Sequence, residues 1–184
     1  MRVRNFALGL SLAVVAPLSG LSALQAQGIM GEMHRDVNEV QGKFIALANA
    51  MPETSYGWRP GAGVRSVREV FLHVAGENYG IPIMMGKPAP AESGITSDFK
   101  TAAAYEAKNL TKAQVIAELE ASFKHLHQGM ALTTDQNLTE TIKFFGQDWT
   151  RQRAMVLTVT HLHEHLGQSI AYARSNNVVP PWRK

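Results

Sequence analysis

The chain has no cysteine among its 184 residues. That excludes a disulfide framework, a thiolate metal site, a cysteine nucleophile and a lipid anchor acylated on cysteine. Charge of one sign is also scarce. The formal net charge is +3, and two of the basic residues, Arg2 and Arg4, lie at the extreme N-terminus. Without them 16 basic residues face 15 acidic ones, a net +1. No Lys/Arg run remains that can neutralise a row of phosphates, so nucleic acid is not an expected partner. Convincing strand alternation is missing, as are internal repeats and low-complexity tracts. What is present is an ordinary composition with 45% hydrophobic residues, enough for one domain with a core and too little for two.

The N-terminal stretch MRVRNFALGLSLAVVAPLSGLSALQAQG places two arginines before an apolar run from about Phe6 to Leu18, followed by small residues. That is the layout of a secretory signal peptide, and the run is too short for a comfortable membrane span. We expect residues 1–26 to be removed after Ala26. Residues 27–184 then form one exported domain with no stable membrane span, periplasmic in a Gram-negative source and secreted otherwise.

Four helical patterns follow. The first runs from about Ile29 to Met51, with Met33, Val37, Val40, Phe44, Leu47 and Ala48 on one face, and Pro52 stops it. The segment PETSYGWRPGAG is turn-rich, and Tyr56 and Trp58 within it read as lid packing. The second helix starts at a capping box, Ser66 with Glu69, carries Val67, Val70, Val74 and Ile81, and should kink or end at Gly80 and Pro82. GKPAPAESGITSDF reads as a long loop, with Met84 and Met85 packing beside it. The third helix opens on a second capping box, Thr111 with Gln114, and continues through Val115, Leu119, Phe123, Leu126 and Met130. In the next loop TETIKFF can form a short extended piece. The fourth helix runs from about Trp149 to Ser175, with Met155, Val159, Leu162, Leu166 and Ala173 facing inward. Four amphipathic helices bury their stripes most simply as an all-α four-helix bundle.

The fourth helix contains HLHEH, three of the chain's seven histidines in five residues. At 100° per residue, His161 and His165 lie about 40° apart on one face, and His163 lies about 160–200° from both. Only His161 and His165 can act on one ion. Thr158, Gln168 and Tyr172 share their face. On the second helix His73 and Glu77 repeat the arrangement beside Val70 and Val74. Two polar strips flanking apolar stripes point to a site between helices, with two histidines from one helix and one from another. Neutral imidazole suits zinc, nickel, copper or iron(II), and zinc or nickel is the divalent ion expected here. His163 reads as a surface or partner-facing residue. His125 and His127, two apart, read as non-ligands, and His34 reads as exposed.

These residues resemble the DinB-like family. The matching pieces are WRP followed by SVREVFLHVAGENYG, then HLHEHLGQ, then AYARSNNVVPP. Together they span about residues 29–182. The resemblance implies a four-helix bundle, often dimeric, with a divalent metal held by three histidines, which map to His73, His161 and His165. It admits a homodimer and implies no DNA binding. Relatives include S-transferases that use low-molecular-weight thiols.

Two functional readings stand. In the first, three ligands leave open positions on the metal for water or a small-molecule substrate, and hydrolysis or thiol transfer follows. The nearest candidate base is then Glu77, one turn from His73; Glu164 points away. In the second, the bundle holds metal without chemistry. Bis-histidine haem needs ligands from opposed helices, and two histidines on one turn argue against it.

Overall fold

The structure is a computed structural model that describes residues 28–182. The expected signal peptide, residues 1–26, lies outside the described residues. Seven regular elements follow one another: α1 (Ile29–Ala50), α2 (Val67–Met84), α3 (Phe99–Glu106), α4 (Lys112–Met130), β1 (Thr141–Phe144), β2 (Gln147–Thr150) and α5 (Arg151–Ser175). The class is all-α. Among the described residues there are five α-helices, not the four expected, because α3 forms directly after the stretch read as a loop, in a segment assigned to no helix.

The four long helices close a ring in which α1 and α2 each pack on both α4 and α5. Inside it lie Val37, Val40, Phe44 and Leu47 of α1, Val70 and Val74 of α2, Leu119, Phe123 and Leu126 of α4, and Met155, Leu162 and Leu166 of α5, all buried. Phe44 meets Phe71 and Phe123 at ring distances of 6.5 and 6.0 Å. Val159, assigned to the inner stripe from its spacing, is only half-buried.

Both expected capping boxes form. Ser66 accepts from the Glu69 N–H while Glu69 accepts from the Ser66 N–H; Thr111 and Gln114 do the same. Tyr56 is fully buried, donating to the Ala48 carbonyl at 2.8 Å, so it is core and not lid.

Pro82 does not end α2 before it, since the helix runs on to Met84. So close to the C-terminus a missing N–H costs only one intrahelical bond. The ring is also accommodated by α4, where it faces Gly129. A Cβ built on Gly129 would sit 2.5 Å from the Pro82 Cβ and 2.8 Å from its Cγ. Both partners are stiff, so a methyl group cannot be absorbed by a rotamer change. Gly129→Ala is therefore expected to destabilise the chain by about 1–3 kcal/mol, read as a lower urea midpoint at unchanged m. An unchanged midpoint would mean that the two helices separate freely.

The extended piece expected in TETIKFF is realised as β1, which pairs antiparallel with β2 in the register Thr141↔Thr150 to Phe144↔Gln147. Phe145 and Gly146 form a two-residue loop with φ of 49° and 74°. Positive φ at both positions is the type I′ pattern that asparagine and glycine favour. Phenylalanine there costs about 1–2 kcal/mol of backbone strain. No helix among the described residues is long and apolar enough to cross a membrane.

Candidate functional site

α2 and α5 face each other with their polar strips aligned. Ring centroids of His73 lie 5.3 Å from His161 and 4.6 Å from His165, and those of His161 and His165 are 4.5 Å apart. One ring nitrogen from each histidine falls within 4.8 Å of the other two. Among the described residues these three form a cluster able to hold a metal ion. His163 projects from the opposite side of α5, exposed, with its Nε2 2.8 Å from Asp36 of α1.

Two of the rings, His73 and His165, are oriented from behind. His73 Nδ1 lies 3.1 Å from Glu106 Oε2, whose other oxygen accepts from Arg65 Nε at 2.5 Å. His165 Nδ1 lies 2.9 Å from Gln168 Oε1, and Gln168 donates to the Tyr172 hydroxyl at 3.1 Å. Trp58 stands edge-on against Tyr172 at 5.3 Å, closing this side of the network. A carboxylate or amide oxygen accepts only from N–H, so both Nδ1 atoms carry the proton, and both Nε2 atoms are bare and free to ligate. His161 Nε2 lies 3.1 Å from His165 Nε2, a contact that requires a proton or a cation between the two nitrogens. Thr158, on the same strip, is spent instead on the Ala154 carbonyl at 2.9 Å.

The electrostatics favour neutral rings. Burial, then His165, His73 and Arg65, push His161 down to about 3, and burial also lowers His165. Burial works to raise Glu106, but its bonds to His73 and Arg65 outweigh it and hold the carboxylate below its usual range. Neutral imidazoles and an ionised supporting carboxylate are the donor set a divalent cation needs.

This gives a pH prediction. In the unfolded chain His161 takes up a proton near pH 6.5, and in the folded chain it resists one until about pH 3. The folded pKa is depressed, so its stabilising effect is complete above pH 6.5 and is lost as pH falls through that window. Metal-free protein should lose on the order of 3 kcal/mol of unfolding free energy between pH 7 and pH 4, and His161→Gln should flatten that slope. Urea titrations across the range provide the check; parallel slopes in both proteins would refute it.

A family model of the DinB superfamily matches residues 37–169. The chain belongs to the DinB superfamily. Solved structures with this fold include a DinB-like protein from Bacillus cereus, 15% identical, with a TM-score of 0.64 over 84% of this chain and 97% of that one. A DinB-like protein from Bacillus subtilis is 14% identical, with a TM-score of 0.61 over 80% of this chain and 94% of that one. An uncharacterised protein from Escherichia coli is 17% identical, with a TM-score of 0.60 over 82% of this chain and 95% of that one. No curated protein matches the chain.

Within this DinB fold the remaining sequence-selected residues separate clearly. Glu77 lies one turn along α2 from His73, half-buried, and lines a cavity of about 250 Å³ beside the cluster. Burial raises its pKa, with His73 and Arg65 opposing and Glu106 reinforcing. Glu164 is exposed. His125 is buried beside Tyr79 at 5.5 Å, away from the cluster, and its Nε2 has no hydrogen-bond partner. His127 pairs with Gln41 at 2.9 Å and stacks on His34 at 6.1 Å. That stacking corrects the expectation for His34, which is half-buried.

The residue that the sequence reading missed is Glu106. It sits at the end of α3, a helix the periodicity did not mark. Two signals were available: Asp98, whose side chain caps α3 by accepting from the Lys100 N–H at 3.0 Å, and the four alanines of TAAAYEAK. Tyr105 then fixes α3, donating to Glu118 of α4 at 2.5 Å while its ring lies 3.4 Å from where a Gly76 Cβ would be.

Proposed function

We propose that this protein is an exported metal-dependent hydrolase, with His73, His161 and His165 as ligands of a zinc or nickel ion. The observation that supports the reading is the convergence of three histidines, two of which, His73 and His165, have their Nε2 atoms left bare by hydrogen bonds to Glu106 and Gln168. A structural site is normally closed by a fourth protein ligand, and the cluster supplies three.

A divalent ion in such a site acts as a Lewis acid that polarises a carbonyl and lowers the pKa of water bound to it. The chain's own residues supply the rest. Glu106 and Gln168 hold the rings in position. Arg65 keeps Glu106 ionised, so that His73 is not freed to rotate. Glu77, raised by burial, is suited to take a proton from an attacking nucleophile and return it to the leaving group. Trp58 and Tyr172 shield the His165 side of the network from bulk water.

Elemental analysis of protein purified without a histidine tag tests this reading. About one equivalent of divalent metal per chain is expected, with hydrolysis of simple amides or esters that chelation abolishes. Protein that neither carries metal nor binds added zinc would sink the proposal. Metal without any metal-dependent turnover would leave a binding protein in its place.

Glu106 gives an independent check. Glu106→Gln keeps the shape but removes the charge that Arg65 and His73 share. Metal affinity should fall about 10- to 100-fold, measured by competition with a chromogenic chelator. Unchanged affinity would show that His73 needs no orienting partner.

A further inference from the structure

The cavity that Glu77 borders does not belong to the histidine cluster. It runs along α2 away from His73, between that helix, the 95–97 segment, α3 and the tip of the hairpin. Its walls are mostly apolar: Ile83, Met84, Ile95, Ala102 and Phe145. Glu77 is the acidic group in its lining, and the same carboxyl feels the charges of His73 and Glu106. One residue therefore joins the cavity to the cluster. Lys143 at the rim is already engaged by Asp148 at 2.7 Å, which argues against an anion subsite.

The far end is built at a cost. Phe145 occupies a left-handed position that glycine or asparagine would fill without strain, and its N–H meets Met84 Sδ at 3.3 Å. A bulky aromatic forced into that turn next to an apolar hollow has a use if the hollow holds something. The neighbouring Gly80 leaves the floor open: a Cβ there would meet Ile95 only at an ordinary 3.9 Å.

We infer that this cavity binds the apolar tail of the substrate, an alkyl or aryl chain of roughly eight non-hydrogen atoms at about 30 Å³ each, with the reacting polar group at Glu77 and Phe145 limiting the tail's length. The inference rests on the metal-centre reading for the position of the reacting group, but not for the cavity itself. The substrate class is thus a small acyl or aryl compound with one apolar end, and charged sugars and nucleotides are poor fits. Burial of each methylene in the cavity strengthens binding until the chain reaches Phe145.

Alkyl hydroxamates test this on the zinc-loaded chain by calorimetry. Acetohydroxamate reports on the metal centre alone. Lengthening the chain should then tighten binding about fourfold per methylene up to roughly eight carbons, and no further. Gly80→Leu should abolish that gain while leaving acetohydroxamate binding unchanged, and Phe145→Ala should move the plateau to longer chains. If Gly80→Leu does not fold, the Phe145→Ala arm carries the comparison. Acetohydroxamate binding with no gain along the series, or a gain indifferent to both substitutions, overturns the tail site. No acetohydroxamate binding overturns the metal reading instead. The cavity is then judged alone, from n-octanol shifts of the Gly80, Ile95 and Ala102 amide resonances in metal-free protein. Their presence supports the site, and their absence refutes it.

Discussion

His165→Ala is expected to abolish most of the chain's metal binding, whereas His163→Ala is expected to leave the metal content unchanged. The two positions are one helical turn or less apart on α5 and equally able to ligate by chemistry, so only geometry separates them. His165 is buried, its Nδ1 tied to Gln168, and its Nε2 3.1 Å from that of His161. His163 is exposed and engaged with Asp36 across the α1–α5 seam. Losing a second-layer partner typically weakens a site by about 10- to 100-fold, so losing one ligand of three should exceed that range. The measurement is metal content after dialysis, with helical circular dichroism as the control for folding. His163→Ala should instead cost a few tenths of a kcal/mol at most, as expected of an exposed pair. Equal metal loss in both variants would mean that the metal does not sit at this cluster.

Glu77→Gln is expected to keep the metal and lower turnover by about 10²- to 10⁴-fold, the usual contribution of a positioned general base. The amide preserves the side chain's volume and its place between cavity and cluster. It removes the basic oxygen. Glu77 is not one of the three converging ligands, which is why metal content should hold. If Glu77→Gln loses metal as well as rate, the residue is a ligand or supports one. If it changes neither, the base lies on another helix.

The helical class, the four long helices, both capping boxes and the geometry of HLHEH were legible because each depends on residues no more than a turn or so apart. Helical periodicity alone fixed that His161 and His165 share a face and that His163 cannot join them. A local cap announced the start of α2 at Ser66. Errors appeared where local preference met tertiary context. Pro82 reads as a helix breaker, yet Gly129, 47 positions away in the chain, leaves room for its ring and lets α2 continue. His34 reads as exposed, yet His127 from another helix covers it.

The tertiary structure decided three things that helical periodicity could not. It brought His73 to the α5 pair, because helix periodicity places a residue around its own axis and says nothing of which neighbour that face meets. It placed Glu106 behind His73, joining residues 33 positions apart through a short helix whose apolar pattern is too brief to register as a period. And it opened the cavity beside Glu77, whose walls come from α2, the 95–97 segment, α3 and a hairpin tip. Sequence determines the faces that elements offer, since those follow from local backbone geometry. Which faces meet is decided by burying all the apolar stripes at once, a condition on the whole chain that no window of it contains.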